Sequence, residues 1–215
     1  MVSIPTYYHK VKKNAVIAIC VPVRDIVTAS FSYSLAMLMK KCGETGRKVT
    51  LHMVMGSEIS SQRQQLVEQA LETNATHILW LDSDMKFPID IIDRLLSHDK
   101  DIIACNYSTR VPPHRPVAFT SSIDMDARLN KKDGTSQVFA VGMGCMLVNI
   151  DVYKNISRPF FSVSWNDDYT SLEGEDLYFC KKASKNNYNI WIDNEASQLV
   201  AHVGTHAYTL KGDCI

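Results

Sequence analysis

Residues 15–23, AVIAICVPV, are an almost unbroken apolar run. A strand with one wet face alternates apolar and polar residues. A strand that is apolar throughout is buried on both faces, which is the condition of a parallel sheet covered by helices. The next segments supply such covers. Thr28 to Cys42 carries Phe31, Leu35, Leu38 and Met39 near helical spacing, with Gly43 and Gly46 as its end. VTLHMVM, residues 49–55, reads as a second strand. SEISSQRQQLVEQALETN reads as a helix capped at Ser57 or Ser60, with an apolar stripe of Ile59, Leu66, Val67, Ala70 and Leu71. THILWLDSDM is a third strand, Pro88 opens the short helix IDIIDRLLSH, and KDIIACNY is a fourth strand. This alternation predicts an α/β fold with a mostly parallel central sheet flanked by helices.

Beyond residue 105 the pattern changes. Pro112, Pro113, Pro116 and Asp133-Gly134 predict loops and short strands. QVFAVGMGCMLVNI reads as one or two strands interrupted by Gly142 and Gly144. GEDLYFCKKASKNN reads as a helix starting near Gly174, NIWID and QLVAHV as short strands, and a tail follows from Gly204. At 215 residues the chain suits a single domain. We expect a nucleotide-binding half over about 15–105 and an acceptor-side, closing half over about 106–208.

Composition removes several classes of function. Lysine and arginine balance aspartate and glutamate at 23 each, so the strong basic field of a non-specific nucleic-acid binder is missing. No apolar run approaches the ~18 residues of a membrane span, and the first residues hold no apolar signal-peptide core. The six cysteines are scattered without a CxxC pair. That predicts reduced thiols in a cytoplasmic protein rather than a disulfide framework or a structural zinc site.

The chemistry concentrates at LWLDSDMKFP. Asp82 and Asp84 arrive where a buried strand ends, and open α/β sheets bind ligands at the carboxyl ends of their strands. On extended chain, residues two apart point the same way, so the two carboxylates are expected to face one divalent cation able to clamp a diphosphate. The same pair also suits a solvated loop that caps the following helix. Glu175 and Asp176 open a helix, where they are either dipole-stabilising first-turn acids or a general base, which the helix N-terminus would keep ionised. His202 ends an apolar strand, as a packed core histidine or as a nitrogen ligand favouring Mn²⁺ over Mg²⁺, with His206 the alternative in the same stretch. Arg24, Arg63 and Arg110 fall where the chain nears the carboxyl edge, suited to phosphate or to solvent.

The order of these pieces, VPVRD, SSQRQQLVEQAL, DSD with its FP continuation, VGMGCML, GED and AHVG, resembles the GT-A-fold glycosyltransferases, in particular small family-2-like enzymes of bacteria and large viruses. The resemblance runs from about Ala15 to about Tyr208. It implies a transferase moving a sugar from a nucleotide-diphosphate donor, UDP- or GDP-linked, to a hydroxyl of a glycan, lipid-linked or protein acceptor, with inversion. It implies Asp84 as the metal ligand, Asp82 as a ribose or metal-shell contact beside Ser83, and His202 completing a Mn²⁺ or Mg²⁺ site. Asp176 is similar to the catalytic base, with Glu175 its neighbour or substitute. Pro22, Val23, Arg24 and Asp25 match the nucleobase loop and Arg63 a helix position facing the nucleotide. Arg110 joins that set as a phosphate contact, Gly142 to Gly144 resemble the stretch beneath the donor sugar, and Trp165 is a candidate acceptor platform. Many relatives carry Asn-Glu after the first-strand proline, where this chain has Arg24-Asp25.

Three rivals are weighed against this reading. Haloacid-dehalogenase-type phosphatases place Asp-x-Asp on the first strand. Sugar nucleotidyltransferases want a glycine-rich loop after that strand, and VPVRDIVTAS has none. A catalytically silent carbohydrate- or nucleotide-binding module would not need Asp82, Asp84 and Asp176 together.

Overall fold

The computed structural model describes residues 14–110, 112–122, 124, 126–165, 169–170 and 172–204. His206, Tyr208 and Cys214 lie outside them. In chain order the elements are β1 (Ile17–Val23), α1 (Ala29–Thr45), β2 (Val49–Met55), α2 (Ile59–Leu71), β3 (His77–Leu81), β4 (Met85–Lys86), α3 (Ile91–Ser97) and β5 (Ile102–Ala104). There follow β6 (Thr135–Val138), β7 (Cys145–Asn149), α4 (Ile150–Asn155), β8 (Ser164–Trp165), β9 (Leu172–Glu173), α5 (Glu175–Lys185), β10 (Ile190–Asp193), α6 (Asn194–Ser197) and β11 (Ala201–His202).

Seven strands form one sheet in the order β2-β1-β3-β7-β5-β10-β6. β1 pairs in parallel with β2 and β3, and β5 with β10, while β7 runs antiparallel between β3 and β5 and β6 antiparallel to β10. Five of the seven strands therefore share one direction, as the alternating first part predicts. This is the mixed α/β architecture of the GT-A fold. Strands from both sides of residue 105 interleave, since β7, β10 and β6 enter the sheet beside β3 and β5.

The unbroken apolar run behaves as burial on both faces requires. On β1, Ala18 and Cys20 join one core, and Ile17, Ile19, Val21 and Val23 join the other. β3 divides the same way, with Ile78 and Trp80 on one face and Leu79 and Leu81 on the opposite one. The indole of Trp80 donates to the Tyr153 hydroxyl at 2.9 Å, so the largest buried side chain keeps its polar atom satisfied. β2 is an edge strand, and its alternation leaves Leu51, Met53 and Met55 exposed. Pro22 is tolerated in β1 because the pairing with β3 stops at Cys20.

Local signals were met with two differences. Helix α1 starts after its cap Thr28, whose hydroxyl accepts from the Phe31 amide, and passes through Gly43 to end at Gly46. Gly46 has φ of 68°, the left-handed conformation a terminating glycine supplies. Helix α2 is capped by Glu58 rather than by Ser57 or Ser60, because its carboxylate accepts from both the Ser60 and Ser61 amides. The five described cysteines are all buried and unpaired. No described helix is long and apolar enough to cross a membrane.

Candidate active site

The candidate residues gather at the carboxyl edge of the sheet. β3 ends at Leu81, and Asp82, Ser83 and Asp84 then form a turn closed by the Met85 amide donating to the Asp82 carbonyl at 3.0 Å. The chain is turned there, not extended, so the expected common direction of the two carboxylates does not hold. Asp82 faces inward to Arg63, with Oδ1 2.8 Å from Nη2. Asp84 faces outward to Arg110 and His202. The turn is fixed from three sides: the Thr28 amide donates to the Ser83 carbonyl, the Asp82 amide to the Gly144 carbonyl, and the Val203 amide to the Asp84 carbonyl.

Pairing of β11 with β4 sets His202 opposite Met85 and so beside Asp84. His202 Nε2 stands 3.3 Å from Asp84 Oδ2. Its Nδ1 lies 3.2 Å from the Ser108 carbonyl, which can only accept, so Nδ1 carries the proton. In a neutral ring Nε2 then presents a lone pair to a carboxylate oxygen, and two acceptors face each other across a gap suited to a cation or a proton. Arg110 Nη1 reaches the same Oδ2 at 2.8 Å and is half exposed. Burial by itself would raise the Asp84 carboxyl, but with a second proton, on Nε2, the hydrogen bond and charge of His202, together with the Arg110 guanidinium, outweigh it and hold the pKa below its ordinary value. Among the described residues no three His, Cys, Asp or Glu side chains group to hold a metal ion by themselves. Asp82 is withdrawn from the expected trio by Arg63.

Arg63 has a different position from a nucleotide contact. Its side chain is 2% exposed. Nη2 bonds Asp82, Nε bonds Glu175 at 3.1 Å, and the guanidinium lies 5.2 Å over the Trp80 ring. One buried cation thus ties the third strand's turn to the start of α5, whose Glu175 lies 112 residues beyond Arg63. Among the described residues Nη1 is buried without a partner. Asp176, next to Glu175, is partly buried and accepts from the Leu177 amide at 2.7 Å. Burial, then the Glu175 charge, pushes its carboxyl up to about 6, against the pull of that hydrogen bond and of Arg63. Desolvation thus outweighs the pull of the helix N-terminus on the pKa, and the carboxyl ionises only above about pH 6.

Gly142 and Gly144 make room for Tyr107. A Cβ at either would come within 2.5 or 2.7 Å of the Tyr107 hydroxyl, and the Gly144 amide donates to that oxygen at 3.0 Å. Tyr107 in turn meets the His202 ring edge-on, 5.4 Å between centroids. Sequence reasoning missed Tyr107; the two glycines were its only trace. It also missed Gln62, whose amide donates to the Val23, Val54 and Gly56 carbonyls and binds the ends of β1 and β2 together. Pro22 and Val23 are buried within β1, while Arg24 and Asp25 are exposed just past its end. Trp165 stands apart, 55% exposed on the β8–β9 hairpin that precedes α5.

Comparisons with known proteins agree with this architecture. A family model, Anp1, of mannosyltransferase-related glycosyltransferases, matches residues 44–138, less than half of the chain. The matched segment contains Arg63, the Asp82–Asp84 turn and Arg110. No curated protein matches this sequence. A solved structure titled "Crystal Structure of A197 from STIV" superposes with a TM-score of 0.59 at 14% identity, covering 93% of each chain. At that identity the likeness is one of fold. The chain is thus similar to a glycosyltransferase family over its central segment and has a GT-A-like fold over nearly all of its length.

Proposed function

We propose that this protein is a metal-dependent glycosyltransferase that transfers a sugar from a nucleotide-diphosphate donor to an acceptor hydroxyl with inversion. The observation that carries the reading is the pairing of two unlike carboxylates at one sheet edge. Asp84 is held ionised beside His202, and Asp176 is held near pKa 6, with Arg63 and Asp82 between their segments. The first suits a cation and the second a general base, whose useful pKa lies close to working pH.

The donor set fits a hard divalent ion. Mg²⁺ and Mn²⁺ sites commonly use one or two carboxylates with substrate phosphates and water completing the shell, and Asp84 with His202 is a protein half-set of that kind. Bound Mn²⁺ or Mg²⁺ would offset the charge that builds on the leaving diphosphate. Arg110, now on Asp84 and half exposed, is a cation for the donor's phosphates. Arg24 and Asp25 are the exposed candidates for the nucleoside, of UDP- or GDP-type. Ser83 and the Gly142–Gly144 stretch border the donor sugar. Asp176 takes the acceptor hydroxyl proton as the acceptor oxygen bonds to the anomeric carbon, and the carbon–oxygen bond to the diphosphate breaks with its electron pair leaving on the diphosphate. Glu175, held by Arg63, positions this first turn and raises the basicity of Asp176. Five buried, unpaired cysteines fit the cytoplasm as its setting.

A thermal-shift panel of UDP-, GDP-, CMP- and dTDP-sugars, with Mn²⁺ or with EDTA, tests the reading. Stabilisation by one nucleotide class that needs the metal, with slow donor hydrolysis, is expected. Absence of any nucleotide-dependent shift under either condition overturns it.

A further inference from the structure

Helix α5 carries two functions on different stretches. Its first turn holds Glu175 and Asp176. Beyond them Tyr178, Lys181, Lys182 and Lys185 follow at spacings of three, one and three, which puts them on one face over ~10 Å of helix. This face lines a cleft of about 860 Å³ together with Trp165 and four serine hydroxyls.

Lysines in a last helical turn are accounted for by the helix dipole alone. Their sharing a cleft with a tryptophan left 55% exposed is not. Among the described residues Glu173 is the one carboxylate lining the cleft, and it is paired with Lys181. Lys182 donates to the Pro159 carbonyl at 2.8 Å and sits 5.5 Å over the Tyr178 ring. Neither Lys182 nor Lys185 meets a carboxylate among the described residues. Among the described residues the cleft thus holds two positive charges without a carboxylate partner, beside the aromatic rings of Phe139, Trp165 and Tyr178. Aromatic faces accept the apolar side of a sugar ring, and ammonium groups pair with carboxylate or phosphate.

We propose that this cleft binds the distal part of an acceptor saccharide that bears an anionic group, a carboxylate or a phosphate. The inference rests on the glycosyltransferase reading above and adds the acceptor's chemical class. Asp176 shares its helical face with the buried Phe179, Cys180 and Ala183, on the other side of α5 from the lysines, so the cleft is a subsite removed from the candidate base.

Tryptophan fluorescence reads the cleft through Trp165, because Trp80 is fully buried and Trp191 is half-buried on β10 outside the cleft, and the Trp165→Phe variant measures what those two contribute. Titration of the full chain uses trigalacturonate, mannose 6-phosphate and neutral maltotriose. Saturable quenching by at least one anionic probe, at least tenfold tighter than any response to maltotriose and weaker at high salt, is expected. Whichever anionic probe binds better identifies carboxylate or phosphate as the source. Trp165→Phe should remove the signal. K182E/K185E should weaken binding at least tenfold, and the milder Lys185→Gln at least threefold. Equal affinity for neutral and anionic probes, no response to any of them, or unchanged affinity in both lysine variants overturns the inference. Donor hydrolysis by the unaltered protein is read in parallel. Hydrolysis without anionic-saccharide binding leaves the transferase reading standing and removes this one, while binding without hydrolysis removes the transferase reading, and with it the acceptor role, and leaves an anionic-saccharide site.

Discussion

Replacing Asp176 by asparagine should stabilise the protein at alkaline pH while disabling it. The carboxyl has a pKa of about 6 in the fold against 3.8 ordinarily. Below pH ~4 it is protonated in both folded and unfolded chains and contributes no pH dependence. Between ~4 and ~6 the unfolded chain releases the proton first, so stability falls as pH rises. Above ~6 the full cost remains. Two pKa units at 1.36 kcal/mol each make that cost roughly 3 kcal/mol as an upper figure. Asparagine keeps an acceptor for the Leu177 amide but brings an NH₂ group to a partly buried place, at about 1 kcal/mol. The net gain at pH 8 is then about 1–2 kcal/mol. For a chain of this length it raises the Tm by roughly 2–8 °C. Melting of both proteins from pH 4 to pH 8 measures it. The difference should vanish or reverse near pH 4 and grow through pH 6. A Tm difference independent of pH, or a less stable variant at pH 8, refutes the reasoning. Sugar transfer by the same variant should fall on the order of 10²-fold or more with donor binding retained.

Other outcomes follow from the same geometry. Transfer by the unaltered enzyme should decline with falling pH through about 6 as Asp176 gains its proton, and a pH–rate profile flat from 5 to 8 would exclude it as the base. Arg63→Met should cost about 3–5 kcal/mol, because Asp82 and Glu175 lose the cation that compensates them; a urea midpoint shift equivalent to less than ~1 kcal/mol contradicts the clamp. Asp84→Ala should abolish Mn²⁺-dependent nucleotide binding with the circular dichroism spectrum unchanged, and retained metal-dependent affinity counts against the site. Arg110→Ala should bind Mn²⁺ more tightly than the parent in the absence of nucleotide, since the guanidinium on Asp84 competes for the same oxygen; calorimetry showing weaker binding reverses that account. Gly142→Ala should lower stability by about 1–3 kcal/mol through its 2.5 Å approach to the Tyr107 hydroxyl, with partial recovery in Gly142→Ala/Tyr107→Phe.

Periodicity and turn chemistry made the sheet's parallel part legible, because each depends on residues a few positions apart. β1 and β3 announced their burial by continuity, and β2 matched its expected bounds. The insertion of β7 against its neighbours was not legible, since an apolar strand carries no mark of its direction. The candidate site divides the same way. Asp84 was readable from its place after a strand. The turn at Asp82–Asp84 was not, because the carbonyl and amide that close it are common to every sequence. Arg63 looked like an open phosphate contact since helical position says nothing of a carboxylate 112 residues on. Tyr107 left only an indirect sign, two glycines whose missing side chains it replaces.

The pairing of β11 with β4 orders events in time as well as in space. Everything else at the candidate site leaves the ribosome before His202 does. The sheet strands that support Asp84 can form while residues 201–202 are still being synthesised, and Asp84 meets its imidazole only when this two-residue strand docks on Met85 and Lys86. A nascent chain therefore lacks the nitrogen half of its proposed cation site until nearly all of the fold is in place. Binding of a cation to Asp84 and His202 would then favour the last step of maturation, and a chain shortened before Ala201 would keep a core and lack the nitrogen half of the proposed cation site.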